Sequence, residues 1–393
     1  MAGGPQSPGR VRAGDAGNWV MHLDCCVLEL RLAHAWRTSG SEAAIKTSTV
    51  LVELKDAEGL TGVGETGMAR SVRAFLQKVD PRKLSFADVP GSMRYLDTIT
   101  RDSSRAKCAL NIALLDGAGK AAKKPIYDFL GLGFTEKKHV TSFSVGIDAP
   151  ERIHTKVRTA DSYPVLKLKV GGANDRGSFA ALRQVAPTKP VRVDANEGWK
   201  SKEEALHNIE WLYHQGHVQF VEQPMPATTS VRDWIWLKER SPLPIYGDES
   251  YHHASDCQLA VECFHGVNVK LQKAGGVSGA LDALRAARKA GLKTMIGCMI
   301  ESSILITAAA HLAEFADDLD IDGNLLISND PFLGASAESG IISFAGAKEL
   351  YGLRVSSRAD VISDRKPLRF KPLARARMAL RRSLQACVGG KRL

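Results

Sequence analysis

Between His139 and Gly323 the chain alternates short apolar runs with longer stretches whose apolar residues recur every three or four positions. The runs are "HVTSFSV", "PVLKLKV", "VRVDAN", "VQFVEQP", "LPIYGDES", "GVNVKLQ", "LKTMIGC" and "DLDIDG". Between them, stretches such as "SKEEALHNIEWLYHQG" and "VSGALDALRAARKAG" have helical periodicity. A strand-plus-helix unit repeated in this way predicts a parallel barrel with helices outside. The other architecture, an open doubly wound sheet, lacks its GxGxxG fingerprint after the early strands. Upstream, "CCVLELRL", "STVLVELKD" and "TGVGE" read as three strands, and "SSRAKCALNIALLDGAGKAA" as a helix, which together make an α+β module.

One run breaks the apolar rule. In "VLKLKVGG" the period-two geometry of a strand puts Val165, Lys167 and Lys169 on one face and Leu166, Leu168 and Val170 on the other. An isolated KxK ordinarily marks an edge strand with a wet face. Here the next runs also end on charge: "VRVDAN" at Asp194, "FVEQP" at Glu222, "PIYGDES" at Asp248 and "VNVK" at Lys270. The intervals are 25, 28, 26 and 22 residues from Lys169 onward, so each charge arrives as its strand runs out. In a barrel that end is the mouth where active sites are built.

A single carboxylate at a strand end is ordinarily a loop cap. Three on consecutive strands repel one another unless a cation lies between them, and an all-oxygen donor set selects Mg²⁺ over Zn²⁺. Lys167 and Lys169 on one side of this cluster and Lys270 on the other could serve as acid and base. Adjacent ammonium groups near a divalent cation are expected to lower one another's pKa and so make a neutral amine accessible near pH 7.

Composition adds limits. The 393 residues include 53 Lys/Arg and 43 Asp/Glu, a net charge of +10. From Arg354 onward there are twelve Lys/Arg and two Asp/Glu, so the remaining 353 residues are balanced at 41 of each. The excess therefore belongs to the segment from Arg354 onward, most of it in "RFKPLARARMALRRSLQACVGGKRL", read as a solvated terminus rather than the seat of function. Nucleic acid is accordingly not expected as a partner. No apolar run approaches membrane-span length, and "MAGGPQSPGRVRAGDAGN" reads as a disordered leader over 1–18. Seven scattered cysteines without a CxxC pair suit a reducing cytoplasm.

The motifs "KLKVG", "DANEGW", "VEQP", "GDES", "VKLQKAGG" and "IGCMIESS", in that order and at barrel spacing, resemble the enolase superfamily, specifically the dipeptide epimerases of its muconate-lactonising subgroup. The resemblance spans roughly residues 24–355. It implies an α/β fold, a modified (β/α)₇β TIM-like barrel over 139–344 under an N-terminal α+β capping domain over 19–138. The cap is completed by about 345–360, and 361–393 form the basic tail. It further implies one Mg²⁺ per subunit on Asp194, Glu222 and Asp248, a catalytic pair Lys169 and Lys270, and Lys167 as electrostatic helper. Asp320 and Asp322 match the Asp-x-Asp that holds a dipeptide's ammonium group, and Cys298 and Met299 lie in the segment running along the substrate.

The implied reaction is 1,1-proton transfer at the α-carbon of the dipeptide's C-terminal residue. Rival readings are cycloisomerisation, o-succinylbenzoate synthesis or N-acylamino-acid racemisation at the same centre, and a non-catalytic barrel that binds polyanions through its tail. Two departures stand out. About ten residues of a lid segment are missing after Glu65, where "GETGMARSVRAFLQ" runs almost directly into a helix. The place of the arginine that holds a glutamate side chain in Ala-Glu epimerases falls on Ser41 or Glu42, with Arg37 nearby. Of the other residues, His252 and His253 are expected at the surface and Lys273 in a loop near the site, off the face of Lys270. The sequence leaves the dipeptide open, and a homo-oligomer is consistent with it.

Overall fold

A computed structural model describes residues 21–100, 103–358 and 366–368. The leader over 1–18 and all but 366–368 of the tail lie outside them. The N-terminal module is an antiparallel sheet of β1 (His22–Trp36), β2 (Ala44–Lys55) and β3 (Thr61–Gly67). Residues 366–367 of the tail add a short strand to its edge, pairing Val27 with Lys366 and Cys26 with Pro367. That part of the tail is therefore paired with the sheet through its backbone.

Helix Ser104–Ala121 lies across β3, and the sequence permits the contact only through small residues. A Cβ on Gly64 would stand 1.9 Å from the carbonyl oxygen of Ala109, and one on Gly62 would stand 2.0 Å from that of Ala113. Gly64→Ala should therefore push the helix off the sheet and cost about 1–3 kcal/mol or more. Gly40→Ala, which meets nothing within 4 Å, should stay within about 0.5 kcal/mol. Urea midpoints of the two variants check this.

The second module is an eight-stranded parallel sheet in sequential order: β4 (Phe143–Val145), β5 (Leu166–Lys169), β6 (Val191–Asp194), β7 (Val218–Glu222), β8 (Ile245–Gly247), β9 (Gly266–Lys270), β10 (Lys293–Gly297) and β11 (Asp318–Asp320). It curls until its ends meet. Thr141 and Leu319 form a parallel bridge, Ser142 N–H donates to Leu319 O at 3.1 Å, and Ile321 N–H donates to the Thr141 hydroxyl at 2.8 Å. The barrel is nearly closed, with a seam between β4 and β11.

The connecting helices bury one face each. Along Val277–Lys289 the buried residues Val277, Ala280, Leu281, Leu284 and Ala287 follow the three-and-four spacing of the sequence. Helix Lys202–Gln215 starts at Ser201, whose hydroxyl accepts from Glu204 N–H, and ends at Gly216 with φ 72°. In β5 every residue is buried, Leu166 and Leu168 toward the helices and the two lysines toward the barrel axis. The KxK strand is thus fully interior, with no wet edge.

Candidate active site

Strand register sets the charged side chains at one level of the mouth. Lys169, Asp194 and Glu222 are neighbours across β5, β6 and β7. Lys270, Gly297 and Asp320 are neighbours across β9, β10 and β11. The glycine in that second row has a reason: a Cβ on Gly297 would stand 2.4 Å from Asn268 Oδ1. The space it leaves lets Asn268 cross the barrel and donate to Glu222 Oε1 at 2.8 Å.

The ammonium groups lie on the carboxylates. Lys169 Nζ is 2.6 Å from Asp194 Oδ2, and Lys270 Nζ is 2.8 Å from Asp248 Oδ2. Lys167, 1% exposed, reaches Asp194 at 3.1 Å, Glu222 at 2.7 Å and Asp320 at 2.6 Å. Lys273 Nζ donates to Asp248 Oδ1 at 2.9 Å. This corrects the expectation for Lys273. The chain turns helical over Leu271–Ala274 directly after β9, and the turn brings the side chain back onto the carboxylate that Lys270 also holds.

Electrostatics follow from these pairs. Burial alone would raise the Asp194 and Asp248 carboxyls. The ammonium groups of Lys169 and Lys167 on the first, and of Lys270 and Lys273 on the second, outweigh it and hold both well below the usual range. Glu222 goes the other way, pushed up by burial and by the charge of Asp194. Burial would lower Lys270, but Asp248 and Glu222 raise it above its ordinary value, and Lys167 is raised likewise by Asp320, Glu222 and Asp194. For both lysines the contacting carboxylates outweigh burial and, for Lys270, the like charge of Lys167 as well.

At the seam, Asp320 closes β11, whereas Asp322 lies past the strand at the start of a short helical turn. The expected alternation along one strand is therefore broken, yet the two carboxyls still converge. Asp320 accepts from Lys167 and from the Ser142 hydroxyl at 2.7 Å. Asp322 accepts from Ser144 N–H at 2.6 Å and from the Ser144 hydroxyl at 3.2 Å. Among the described residues no cation forms an ion pair with Asp322, and burial together with the Asp320 charge pushes it up to about 7 despite the nearby Lys167. Ser142 and Ser144 escaped the sequence reading, since a hydroxyl in "TSFSV" carries no motif.

A cavity of about 400 Å³ opens over this level. Lys169, Lys270, Asp320, Asp322, Cys298 and Met299 line it, whereas Lys167 lies below, between the carboxylates. The cap supplies the opposite wall with Trp36, Thr38, Ser41, Met68 and Arg105. Ser41 reaches the cavity; Glu42 and Arg37 do not. β3 passes into helix Arg70–Leu76 within three residues, as the shortened segment predicts, so the loop after β1 forms the cover. Ser39 there donates to Asn196 O at 2.5 Å.

A capped parallel barrel whose mouth interleaves carboxylates with lysines is the architecture of an enolase-type enzyme. Residues 31–131 match the Mandelate racemase / muconate lactonizing enzyme N-terminal domain family, and residues 152–330 match the Enolase C-terminal domain-like family. An L-Ala-D/L-amino acid epimerase of Pedosphaera parvula is 56% identical over 342 residues, 84% of this chain and 98% of its own. An L-Ala-D/L-Glu epimerase of Bacteroides thetaiotaomicron is 37% identical over 324 residues, 80% of this chain and 83% of its own. Among solved structures, the dipeptide epimerase of Cytophaga hutchinsonii, complexed with Mg and dipeptide D-Ala-L-Val, superposes with a TM-score of 0.80 at 26% identity, covering 89% of this chain and 99% of that one. The chain belongs to the mandelate racemase/muconate-lactonizing family of the enolase superfamily.

Proposed function

We propose that the chain is a Mg²⁺-dependent epimerase of dipeptides that inverts the α-carbon of the C-terminal residue. The observation that carries this is one cavity bounded by Lys169 and Lys270 and by the carboxyl pair Asp320 and Asp322. A two-base centre and an ammonium pocket share one space of dipeptide size. No helix among the described residues is long and apolar enough to cross a membrane. With no CxxC among its cysteines, we place the enzyme in the cytoplasm.

The donor set fits the ion. Six carboxyl groups, those of Asp194, Glu222, Asp248, Glu249, Asp320 and Asp322, face the four ammonium groups of Lys167, Lys169, Lys270 and Lys273. Burial and like charge raise Glu222, Glu249 and Asp322, a repulsion that a cation among them would relieve. Glu222 Oε2 is buried and accepts no directed hydrogen bond, although Lys167 Nζ is 2.7 Å away. Among the described residues no three acidic, histidine or cysteine side chains converge as a finished cage, since ammonium groups occupy the oxygens of Asp194 and Asp248. Asp194, Glu222 and Asp248 would hold Mg²⁺, which supplies positive charge opposite a developing enolate.

The chain's own residues do the rest. One lysine, as the free amine, takes the α-proton, and the C–H electron pair passes into the enolate. The other lysine, as ammonium, gives a proton to the opposite face, and the two amines exchange roles. Lys167, charged and buried between Asp194, Glu222 and Asp320, keeps the floor from becoming too negative for a substrate carboxylate.

Because Lys167 already neutralises Asp320, the charge free for a substrate ammonium is that of Asp322. Charge-assisted hydrogen bonds of this kind contribute about 1.5–3 kcal/mol. Blocking the ammonium by N-acetylation should therefore lower kcat/KM by roughly ten- to a hundred-fold. Asp322→Asn should hurt free dipeptides more than acetylated ones. A dipeptide library in deuterated water, read by mass gain, tests the proposal. If N-acylamino acids exchange faster than every dipeptide, the enzyme is an N-acylamino-acid racemase instead.

A further inference from the structure

The residue two places after Lys270 is a glutamine, 2% exposed, whose side-chain amide is used at both ends. Gln272 Oε1 accepts from Gly67 N–H at 2.9 Å and from the Thr66 hydroxyl at 3.3 Å. Its Nε2 donates to Glu301 Oε1 at 2.7 Å, and that oxygen also takes Met299 N–H at 3.1 Å. A backbone N–H can only donate and a carboxylate is the natural partner of an NH₂, so these neighbours fix which way the amide points. The fit is close: a Cβ on Gly67 would stand 3.0 Å from Gln272 Oε1.

These partners belong to separate parts of the fold. Thr66 and Gly67 end the cap's third strand, Gln272 lies in the turn after β9, and Met299 and Glu301 lie in the loop after β10. Gly67, Lys270, Gln272 and Met299 all line the cavity. One buried side chain thus ties the cap to the segment that carries Lys270. The other lysine is anchored differently. After Lys169, the N–H groups of Gly171 and Gly172 donate to Asp175 at 2.9 Å each, wholly within the barrel.

We infer that Gln272 is a positioning residue for Lys270, holding the turn after it against the cap and the β10 loop so that the amine reaches its own face of the α-carbon. This rests on the two-base reading proposed above. Lys169 does not depend on these ties, so loss of Gln272 acts on one face of the reaction and spares the other.

The test measures α-proton exchange in deuterated water separately for the two epimers of the dipeptide that the library screen returns as fastest. The face served by Lys270 is the one that Lys270→Ala silences. Gln272→Met removes every hydrogen bond of the amide while keeping the length of the side chain. It should slow exchange on the Lys270 face about tenfold or more relative to the Lys169 face, since small misplacements of a reacting group cost that much or more. The ratio of faces does not depend on how much of the variant is folded, so a merely structural role leaves it unchanged. Glu301→Gln keeps an acceptor for Nε2 and should retain the wild-type ratio. Equal slowing of both faces in Gln272→Met overturns the inference, as does a skew in Glu301→Gln as large as that in Gln272→Met. If the wild type exchanges no dipeptide at all, the two-base reading falls, and the inference falls with it.

Discussion

In deuterated water the Lys169→Ala variant should exchange the α-proton of one dipeptide epimer and leave the other untouched, and Lys270→Ala should show the complementary pattern. Net epimerisation should fall by roughly 10²–10⁴-fold in both, the range general acid–base groups contribute. The reason is geometric. Lys169 closes β5 on Asp194, and Lys270 closes β9 on Asp248, so the two amines approach the cavity from different sides. Each can reach only its own face of a carbon held between them. Alanine takes away one proton carrier and leaves the other with its carboxylate. A single variant that still epimerises at the wild-type rate would show that one lysine serves both faces, and the two-base assignment would be lost.

The second large effect concerns the ion. Glu222→Gln should abolish turnover and abolish the rise in melting temperature expected from Mg²⁺ in the wild type. This substitution is the cleanest of the changes at the three proposed metal ligands, and the pKa direction says why. Burial and the Asp194 charge raise the folded-state carboxyl of Glu222 to about 8, from 4.5. A folded pKa above the unfolded one means that ionisation costs stability, and the loss accumulates as pH rises from the lower value through the higher one. A neutral glutamine removes that loss, so the Mg²⁺-free variant should be as stable as the wild type at pH 8 or more so.

Asp248→Asn would confuse the result, because it strands the ammonium groups of Lys270 and Lys273. Differential scanning fluorimetry with and without Mg²⁺, beside turnover in excess EDTA, separates these outcomes. A Glu222→Gln protein that still gains the full Mg²⁺ shift would remove Glu222 from the ligand set.

The barrel and the axis of its site were legible because both depend on period. Two-residue alternation put Lys167 and Lys169 on the inner face, and intervals of 22 to 28 residues brought successive charges to the same rim. What failed depended on where an element stops. Lys273 reads as a loop residue if β9 simply ends, but the chain winds at once into Leu271–Ala274 and returns its ammonium to Asp248. Asp322 reads as the next inward position of a strand that in fact ends at Asp320. Sequence adjacency shows the like charges of Lys167 and Lys169 and hides the carboxylates that, brought from other strands, raise Lys167 and Lys270. Ser144 and Gln272 had no signal, since their partners, Asp322 and Gly67, are distant in the chain.

The seam of the barrel gives the site an order of assembly. The lysines and carboxylates of β5 through β9 come from neighbouring strands and can gather while the sheet is still an open ribbon. The pocket proposed for the substrate's ammonium cannot. It needs Ser142, just before the first strand, and Ser144, within it, beside Asp320, which ends the last strand, and Asp322 just past it. These partners, 178 residues apart, bond only when the ribbon closes. Contacts at such separation carry the largest chain-closure entropy and arise late. With the roles proposed above, a half-made protein would own its proton-transfer groups while having no grip on a free dipeptide, and the ability to hold one would come only at ring closure.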